Sequence, residues 1–366
     1  MVNNNKPTVL SKLVASLIIT GCVSSVHAEI ETRNEFSGYI KLDAIFSQEN
    51  DGAGALREQA LLTLNENELE DEEGDLTFSA FESRIKFSHI RTGTPVGDFS
   101  AVVEGDFYSG ANQNIFNLRH AYFTHENLLL GQTWSTFMDL GALAETADFG
   151  GPAARIFVRQ PQVRYKIPFG SSSLELAAEE PLNSPDPILP DLVARYTVKG
   201  DFGHLTLGAL YQHINNEEEE SDVDDTANAF AGRISGRLNF WGDNLKFAVI
   251  SGTGLGRYLN FNDQTSFGIV DNDIELSEQT GFKLAYQHVY TPTLRSTIRY
   301  AQTTNDLDGE DTGDFTSFHV NLIYNPYKPL KFGAEIILAE KEATEANGFE
   351  EDLELKRFQL FGKYNF

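Results

Sequence analysis

From Gly38 onward the chain keeps returning to an alternation of apolar and polar residues with a period of two, plainest in Gly38-Tyr-Ile-Lys-Leu-Asp-Ala-Ile-Phe46. Successive side chains of a strand point to opposite faces, so Ile40, Leu42, Ala44 and Phe46 share one face and Lys41 and Asp43 the other. Phe99, Ala101, Val103 and Phe107 likewise alternate with Ser100, Glu104 and Asp106, and Leu330, Phe332, Ala334, Ile336 and Leu338 with Lys331 and Glu335. This reading predicts about sixteen strands, an even number in the range of membrane barrels. They lie near residues 36–47, 76–90, 97–108, 115–125, 127–134, 154–167, 171–180, 189–199, 203–214, 227–240, 244–251, 276–290, 293–302, 313–324, 329–341 and 352–366.

The connections alternate too. Tight turns such as Lys199-Gly-Asp-Phe202, Trp241-Gly-Asp-Asn244 and Asn325-Pro-Tyr-Lys-Pro329 are interleaved with acidic runs over Glu66 to Asp75, Glu217 to Asp225, Asp306 to Asp314 and Glu342 to Glu354. Short turns at one end and long polar loops at the other are the rhythm of outer-membrane barrels. Tyr286, Tyr290, Tyr324, Tyr327, Tyr364 and Phe366 fall at strand ends, where an interfacial girdle lies. A soluble β-sandwich would have to hide all these apolar faces in one core, and no fixed-period repeat of a β-helix appears. The expected fold is all-β: a transmembrane antiparallel β-barrel in which residues 29–366 form a single domain.

Charge and hydropathy sharpen this picture. The formal net charge is -26 and the mean hydropathy -0.30, and no long apolar helical stretch follows residue 28, which excludes a helical membrane protein. A barrel survives that test because only alternate residues of each strand meet lipid. Before the first strand, Lys6 and Lys12 precede the apolar run Leu13 to Val23, and Val26-His27-Ala28 supplies a small-residue cleavage site, so residues 1–28 are expected to be a cleaved signal peptide. Ile19-Thr-Gly-Cys22 competes as a lipoprotein processing box; ordinary cleavage after Ala28 would instead discard the single cysteine, Cys22, and with it any disulfide or thiolate chemistry.

The faces opposite the apolar ones carry Arg84, Lys86, Arg119, Arg195, Arg233, Arg237, Lys283, Arg295, Arg299 and Arg357. A charge facing lipid at mid-bilayer costs ~2–4 kcal/mol, so these residues are expected to line a water-filled lumen. Some are expected to pair with Glu82, Glu104, Asp106 and Glu335. Between residues 154 and 167 the alternation reverses: Arg155, Phe157 and Arg159 share one parity, Gln162, Arg164 and Lys166 the other. A bulge near Gln160-Pro161 would bring Arg155, Arg159 and Arg164 to the same inner wall as a ladder.

The series Glu82-Ser-Arg-Ile-Lys-Phe87, Glu104-Gly-Asp-Phe107, Leu118-Arg-His-Ala-Tyr122, Gly131-Gln-Thr-Trp-Ser-Thr-Phe-Met-Asp139, Asp148-Phe-Gly-Gly-Pro152 and Ile156-Phe-Val-Arg-Gln160 resembles the DcaP-like family of trimeric outer-membrane porins. Dense motifs cover residues 80 to 166, and weaker likeness, as in His319-Val-Asn-Leu-Ile-Tyr324, extends to the end. The resemblance implies sixteen strands, a homotrimer and a preference for anions such as dicarboxylates. Family members often carry an N-terminal helical extension; little chain separates Ala28 from the first predicted strand, and no role of that extension is carried over. The resemblance also assigns the segment from about 137 to 154, rich in Gly and Ala, to a loop that folds inward as a constriction. Its acids Asp139, Glu145 and Asp148 would face the wall arginines and set a transverse field across the pore.

The expected function is an outer-membrane porin that passes small hydrophilic solutes. Its expected surroundings are outer-membrane lipid and lipopolysaccharide, and the last strand, ending Phe358-Gln-Leu-Phe-Gly-Lys-Tyr-Asn-Phe366, resembles the signal read by the barrel-assembly machinery. An enzyme is not expected, because the histidines are scattered and no nucleophile-elbow or metalloprotease motif accompanies them. No cofactor, metal site or nucleic-acid partner is expected. The competing reading is a surface adhesin or cation-binding barrel with no transport role, suggested by runs such as Glu217-Glu-Glu-Glu220.

Overall fold

The computed structural model describes residues 29–47, 75–107, 115–148, 153–185, 187–217, 224–259, 266–270, 273–306, 312–344 and 350–366. The expected signal peptide over residues 1–28, Cys22 within it, and most of the acidic runs fall outside the described residues. The strands are Glu31–Ser47 (β1), Asp75–Ser79 (β2), Arg84–Thr92 (β3), Phe99–Asp106 (β4), Asn117–His125 (β5), Leu128–Trp134 (β6), Arg159–Phe169 (β7), Ser172–Glu179 (β8), Asp191–Gly200 (β9) and Gly203–Glu217 (β10). They continue with Asp224–Phe240 (β11), Asp243–Thr253 (β12), Phe267–Val270 (β13), Asp273–Leu276 (β14), Glu278–Thr291 (β15), Leu294–Asp306 (β16), Thr312–Tyr327 (β17), Leu330–Thr344 (β18) and Glu350–Asn365 (β19).

β1 pairs with β2 over Asp43 to Ser47 and with β3 over Glu31 to Tyr39, so β2 and β3 are one barrel strand interrupted at residues 80–83. β13 and β14 form a separate hairpin in the connection between β12 and β15. The rest pair antiparallel with their neighbours in sequence, and β1 pairs with β19 through Tyr39↔Asn365 to Ser47↔Arg357. The result is a closed antiparallel barrel of sixteen strands. Closure satisfies every strand edge within the wall, which an open sheet in lipid could not do.

Burial follows the alternation read from the sequence. On β1, Lys41 and Asp43 are only 3% and 4% exposed, whereas Ile40 and Leu42 are 57% and 54% exposed. Phe332, Ile336 and Leu338 are exposed on the outer face, and Glu335 is buried inside. Tyr286, Tyr290, Tyr324, Tyr327, Tyr364 and Phe366 are all exposed near the tight turns. The tightest packing lies inside the barrel. Phe137, Met138, Ile156, Val158, Leu255, Tyr258 and Leu259 pack on the inward Ala177, Val193, Leu210, Ala231 and Ile250. Two loops therefore cover the apolar inner wall of β8 to β12: the one between β6 and β7, and the start of the β12–β15 connection.

The strand expected over 154–167 begins only at Arg159. Its register with β6 is continuous from Trp134↔Arg159 to Leu128↔Tyr165, so the expected bulge at Gln160-Pro161 is absent. Gln160 and Gln162 point inward and Pro161 and Val163 outward; Arg155 precedes the strand in irregular chain, so no reversal within it is needed. The bulge lies on β5 instead. Glu104 pairs with His120 and Gly105 with Leu118, leaving Arg119 as the extra residue. One inserted residue lets two neighbours face the same side, and Arg119 and His120 are both buried.

Candidate functional site

The segment between β6 and β7 turns into the barrel at Ser135, whose N–H donates to the Val158 carbonyl at 3.0 Å, and then follows the inner wall. Arg195 of β9 donates to the Met138 carbonyl at 2.6 Å. Asp139 caps a short 3-10 turn, Leu140–Ala142, by accepting from the Gly141 N–H, and also meets His204 of β10 at 3.0 Å and the Ser235 hydroxyl of β11 at 2.7 Å. Lys246 of β12 donates to the Leu143 carbonyl at 2.6 Å. Glu145 accepts from Arg295 of β16 and from Lys331 of β18, the latter at 2.6 Å. The N–H groups of Ala147 and Asp148 donate to Glu335 at 2.9 and 3.1 Å, and Lys41 of β1 donates to the Ala147 carbonyl at 2.8 Å. A loop with no sheet of its own thus finds partners for its backbone on the polar side chains of the lumen.

The loop acids are held by the wall they run along. Burial tends to raise the Asp139 carboxyl, but the His204 hydrogen bond and the Arg233 charge outweigh it and bring it well below the usual carboxylate range. Glu145 is likewise opposed by burial, yet the Arg295 hydrogen bond and the Lys331 charge hold it at about 2. Asp148 lies 3.9 Å from Arg357. The three acids therefore meet positive or hydrogen-bonding groups directly.

A second cluster sits on β3 to β7. Arg119 donates to Asp106 at 2.7 Å and approaches Glu104 at 3.4 Å; Arg84 lies 3.2 Å from Glu104 and 3.7 Å from Asp106. Trp134 at the end of β6 meets two guanidinium groups, Arg119 at 5.4 Å and Arg159 at 4.9 Å from its ring, and packs on Phe157 at 4.6 Å. Arg155 stacks over Phe157 at 3.4 Å. Arg164 donates to the Trp134 carbonyl at 2.5 Å and to Gln162. Arg155, Arg159 and Arg164 are brought into one quarter of the barrel, two through aromatic stacking and one through the strand itself. Arg159 has the parity of Pro161 and Val163, and it turns onto Trp134 and Phe157 from the first position of β7.

The other expected residues are distributed around the wall. Arg233 and Arg299 are buried beneath the loop, Arg299 donating to the Ala153 carbonyl at 2.9 Å. Arg237 is exposed and bonds Asn239 at 2.8 Å. Lys86 stands opposite Glu104 in the register. The sequence reading puts Lys41 and Lys331 on the inward face without assigning them to the site, and it singles out neither Lys246 nor Lys363; Lys41 pairs with Glu82 and with Asp43 at 3.1 Å. Trp134 is marked only as part of a motif.

The second inward loop was not foreseen. Tyr258, in the 3-10 turn Gly256–Leu259, donates to Asp191 at 2.8 Å and accepts from Gln160 at 2.7 Å. Gln160 also donates to Glu179 at 2.8 Å. Burial and the Glu179 and Asp191 carboxylates push the Tyr258 phenol far up, so it stays a neutral donor.

The model of the DcaP outer membrane protein family matches residues 8–366. The chain belongs to that family. Among solved structures it is similar to the outer membrane channel DcaP of Acinetobacter baumannii, with 23% identity, a TM-score of 0.78 and coverage of 92% of this chain and 97% of that one. It is also similar to an anion-selective porin from Comamonas acidovorans, at 10% identity and TM-score 0.65, covering 92% of this chain and 100% of that one. OmpT of Vibrio cholerae, solved in a trimer form, gives 12% identity and TM-score 0.62 over 92% and 99%. At these identities the likeness establishes the porin fold. No curated protein matches. As a member of the DcaP family the chain is an outer-membrane β-barrel protein.

Proposed function

We propose that this DcaP-family barrel is a diffusion channel for small hydrophilic solutes that favours anions, dicarboxylates among them. The observation that carries this reading is an imbalance inside the lumen. Glu82, Glu104, Asp106, Glu175 and Glu335, and the loop acids Asp139, Glu145 and Asp148, each lie within ion-pair distance of a basic side chain. Two further buried inward acids, Glu179 and Asp191, are held by neutral donors, Gln160 and Tyr258, whereas four basic residues, Lys86, Arg237, Lys246 and Lys363, have no carboxylate ion pair among the described residues. Arg237 stands directly opposite Lys246, and Lys363 lies in register between Lys41 and Lys331. Like charges placed opposite each other destabilise a sheet, an arrangement that makes sense where passing anions relieve it.

The trimeric assembly expected from the sequence is part of the same proposal, as are removal of residues 1–28 and a mature N-terminus at Glu29. One neighbour, OmpT of Vibrio cholerae, solved in a trimer form, supports the trimeric part of it. Channel recording in planar bilayers tests the transport reading. Stable conductance steps that are blocked by succinate, and far less by acetate or uncharged sugars, are the expected result. A barrel that inserts but shows no conductance steps would leave the adhesin reading in its place. Intact mass of the membrane-extracted protein tests the processing; a mass fitting acylated Cys22 would refute cleavage after Ala28.

A further inference from the structure

Beneath the constriction loop lies a niche floored by small side chains. Lys283 of β15 is flanked along its strand by Gly281 and Ala285 and across it by Ala248 of β12 and Ala301 of β16, all buried on the inner face. The loop roofs this floor. A Cβ on Gly281 would stand 3.1 Å from the Cβ of Ala154, and one on Gly208 would stand 3.1 Å from the Phe137 ring.

The charges enclosed there outnumber the one carboxylate that acts on them, Asp139. Arg233 is 5% exposed, its guanidinium lies 5.5 Å from the Phe137 ring, and its Nε and Nη2 have no hydrogen-bond partner among the described residues. Lys283 is buried and makes no hydrogen bond or ion pair to any described residue. The charges of Arg299, Arg155 and Arg233 all act on Lys283, and the carboxylate acting on it is Asp139, which is already held by His204 and Ser235. Leaving buried cations uncompensated is costly, and unsatisfied guanidinium N–H groups add to that cost.

We propose that a compact dianionic oxyanion occupies this niche between Arg233 and Lys283 and stays there as a resident counter-ion that fastens the constriction loop to the wall. The planar fork of Arg233 suits two oxygens of one group, and Lys283 supplies a point charge from the side. The inference rests on the anion-accepting lumen proposed above, but it requires retention of the anion rather than selectivity in passage. Inorganic phosphate and a permeating dicarboxylate share the required chemistry.

The folded protein is dialysed into phosphate-free chloride buffer, its orthophosphate content is measured, and thermal unfolding is followed while inorganic phosphate or succinate is added. Free orthophosphate released on denaturation, counted apart from lipid-bound phosphorus, or a saturable rise in Tm with phosphate alone, identifies a resident inorganic oxyanion; an equal rise with succinate identifies a site shared with permeating solutes. Lys283→Met should weaken either ligand by about tenfold or more, as loss of a charge-assisted hydrogen bond does, whereas Lys356→Gln on the outer face should not. Should Lys283→Met fail to fold, Arg233→Lys keeps the charge, removes the fork and should weaken binding likewise. No released orthophosphate and no saturable shift with either anion, or a shift undiminished in these variants, would overturn the proposal. A Lys283-dependent shift in a channel without anion preference would remove the selectivity reading and leave this site standing.

Discussion

Glu145 and Arg295 stand 150 residues apart in the chain and are joined by two hydrogen bonds, Nε to Oε2 at 2.6 Å and Nη2 to Oε1 at 2.7 Å. With Lys331 as a third donor, this paired contact fixes the middle of the inward loop to β16 and β18. Glu145→Gln should weaken that attachment by about 1.5–3 kcal/mol, the usual worth of a hydrogen bond to a charged group. Larger and noisier conductance steps in bilayers, with gel heat-modifiability retained, are the expected result.

The same contact predicts a pH dependence. The Glu145 carboxyl ionises at about 2 in the folded protein against an ordinary 4.5, so its stabilisation is complete above 4.5 and lost as pH falls towards about 2. Conductance should therefore be steady through neutral and mildly acidic pH and change only below about pH 4. In Glu145→Gln this acid-induced change should be reduced, which a pH series of single-channel records would show.

Arg119 owes its place to the β5 bulge and compensates Asp106, whose side chain is fully buried. Removing one partner of a buried pair costs about 3–5 kcal/mol where the other charge is left alone; here Asp106 keeps Asn117 at 3.0 Å and Arg84 at 3.7 Å, so the loss falls below that range. Arg119→Ala should lower the unfolding temperature on gels clearly, and adding Asp106→Asn should restore much of it. If the double variant is no better than the single, the pair is not what the bulge serves.

The Tyr258 hydroxyl ties the second inward loop to Asp191 and Gln160. Tyr258→Phe keeps the ring against Phe137 and deletes only that link, leaving the buried Asp191 carboxyl short of a donor and the Gln160 amide short of an acceptor, at a cost of about 1–3 kcal/mol. Faster proteolysis within residues 254–277, with the barrel intact, is the expected outcome.

What could be read from the chain follows from the range of the interactions concerned. Ile40, Lys41, Leu42 and Asp43 announce their faces because strand parity is a local property. Arg119 and His120 hide theirs: Leu118-Arg-His-Ala-Tyr122 looks like ordinary alternation, and the extra residue shows only against β4. The reversal between Arg155 and Arg164 suggests a bulge only if side-chain type fixes direction; β7 starts at Arg159 and stays in register, so Arg155 lies before the strand. Glu145 finding Arg295, or Tyr258 finding Asp191, leaves no local mark in the sequence. Such partners meet only once the barrel has closed.

The anion preference proposed for the lumen is read most directly from the zero-current potential across a bilayer holding the wild-type channel between unequal KCl solutions. The expected potential has the sign that marks chloride as the more permeant ion, and it weakens at higher salt as screening lengths shorten to ~3 Å near 1 M. Lys86→Gln combined with Arg237→Gln should move it toward zero. A wild-type potential of the opposite sign, marking potassium as the more permeant ion, would contradict the account.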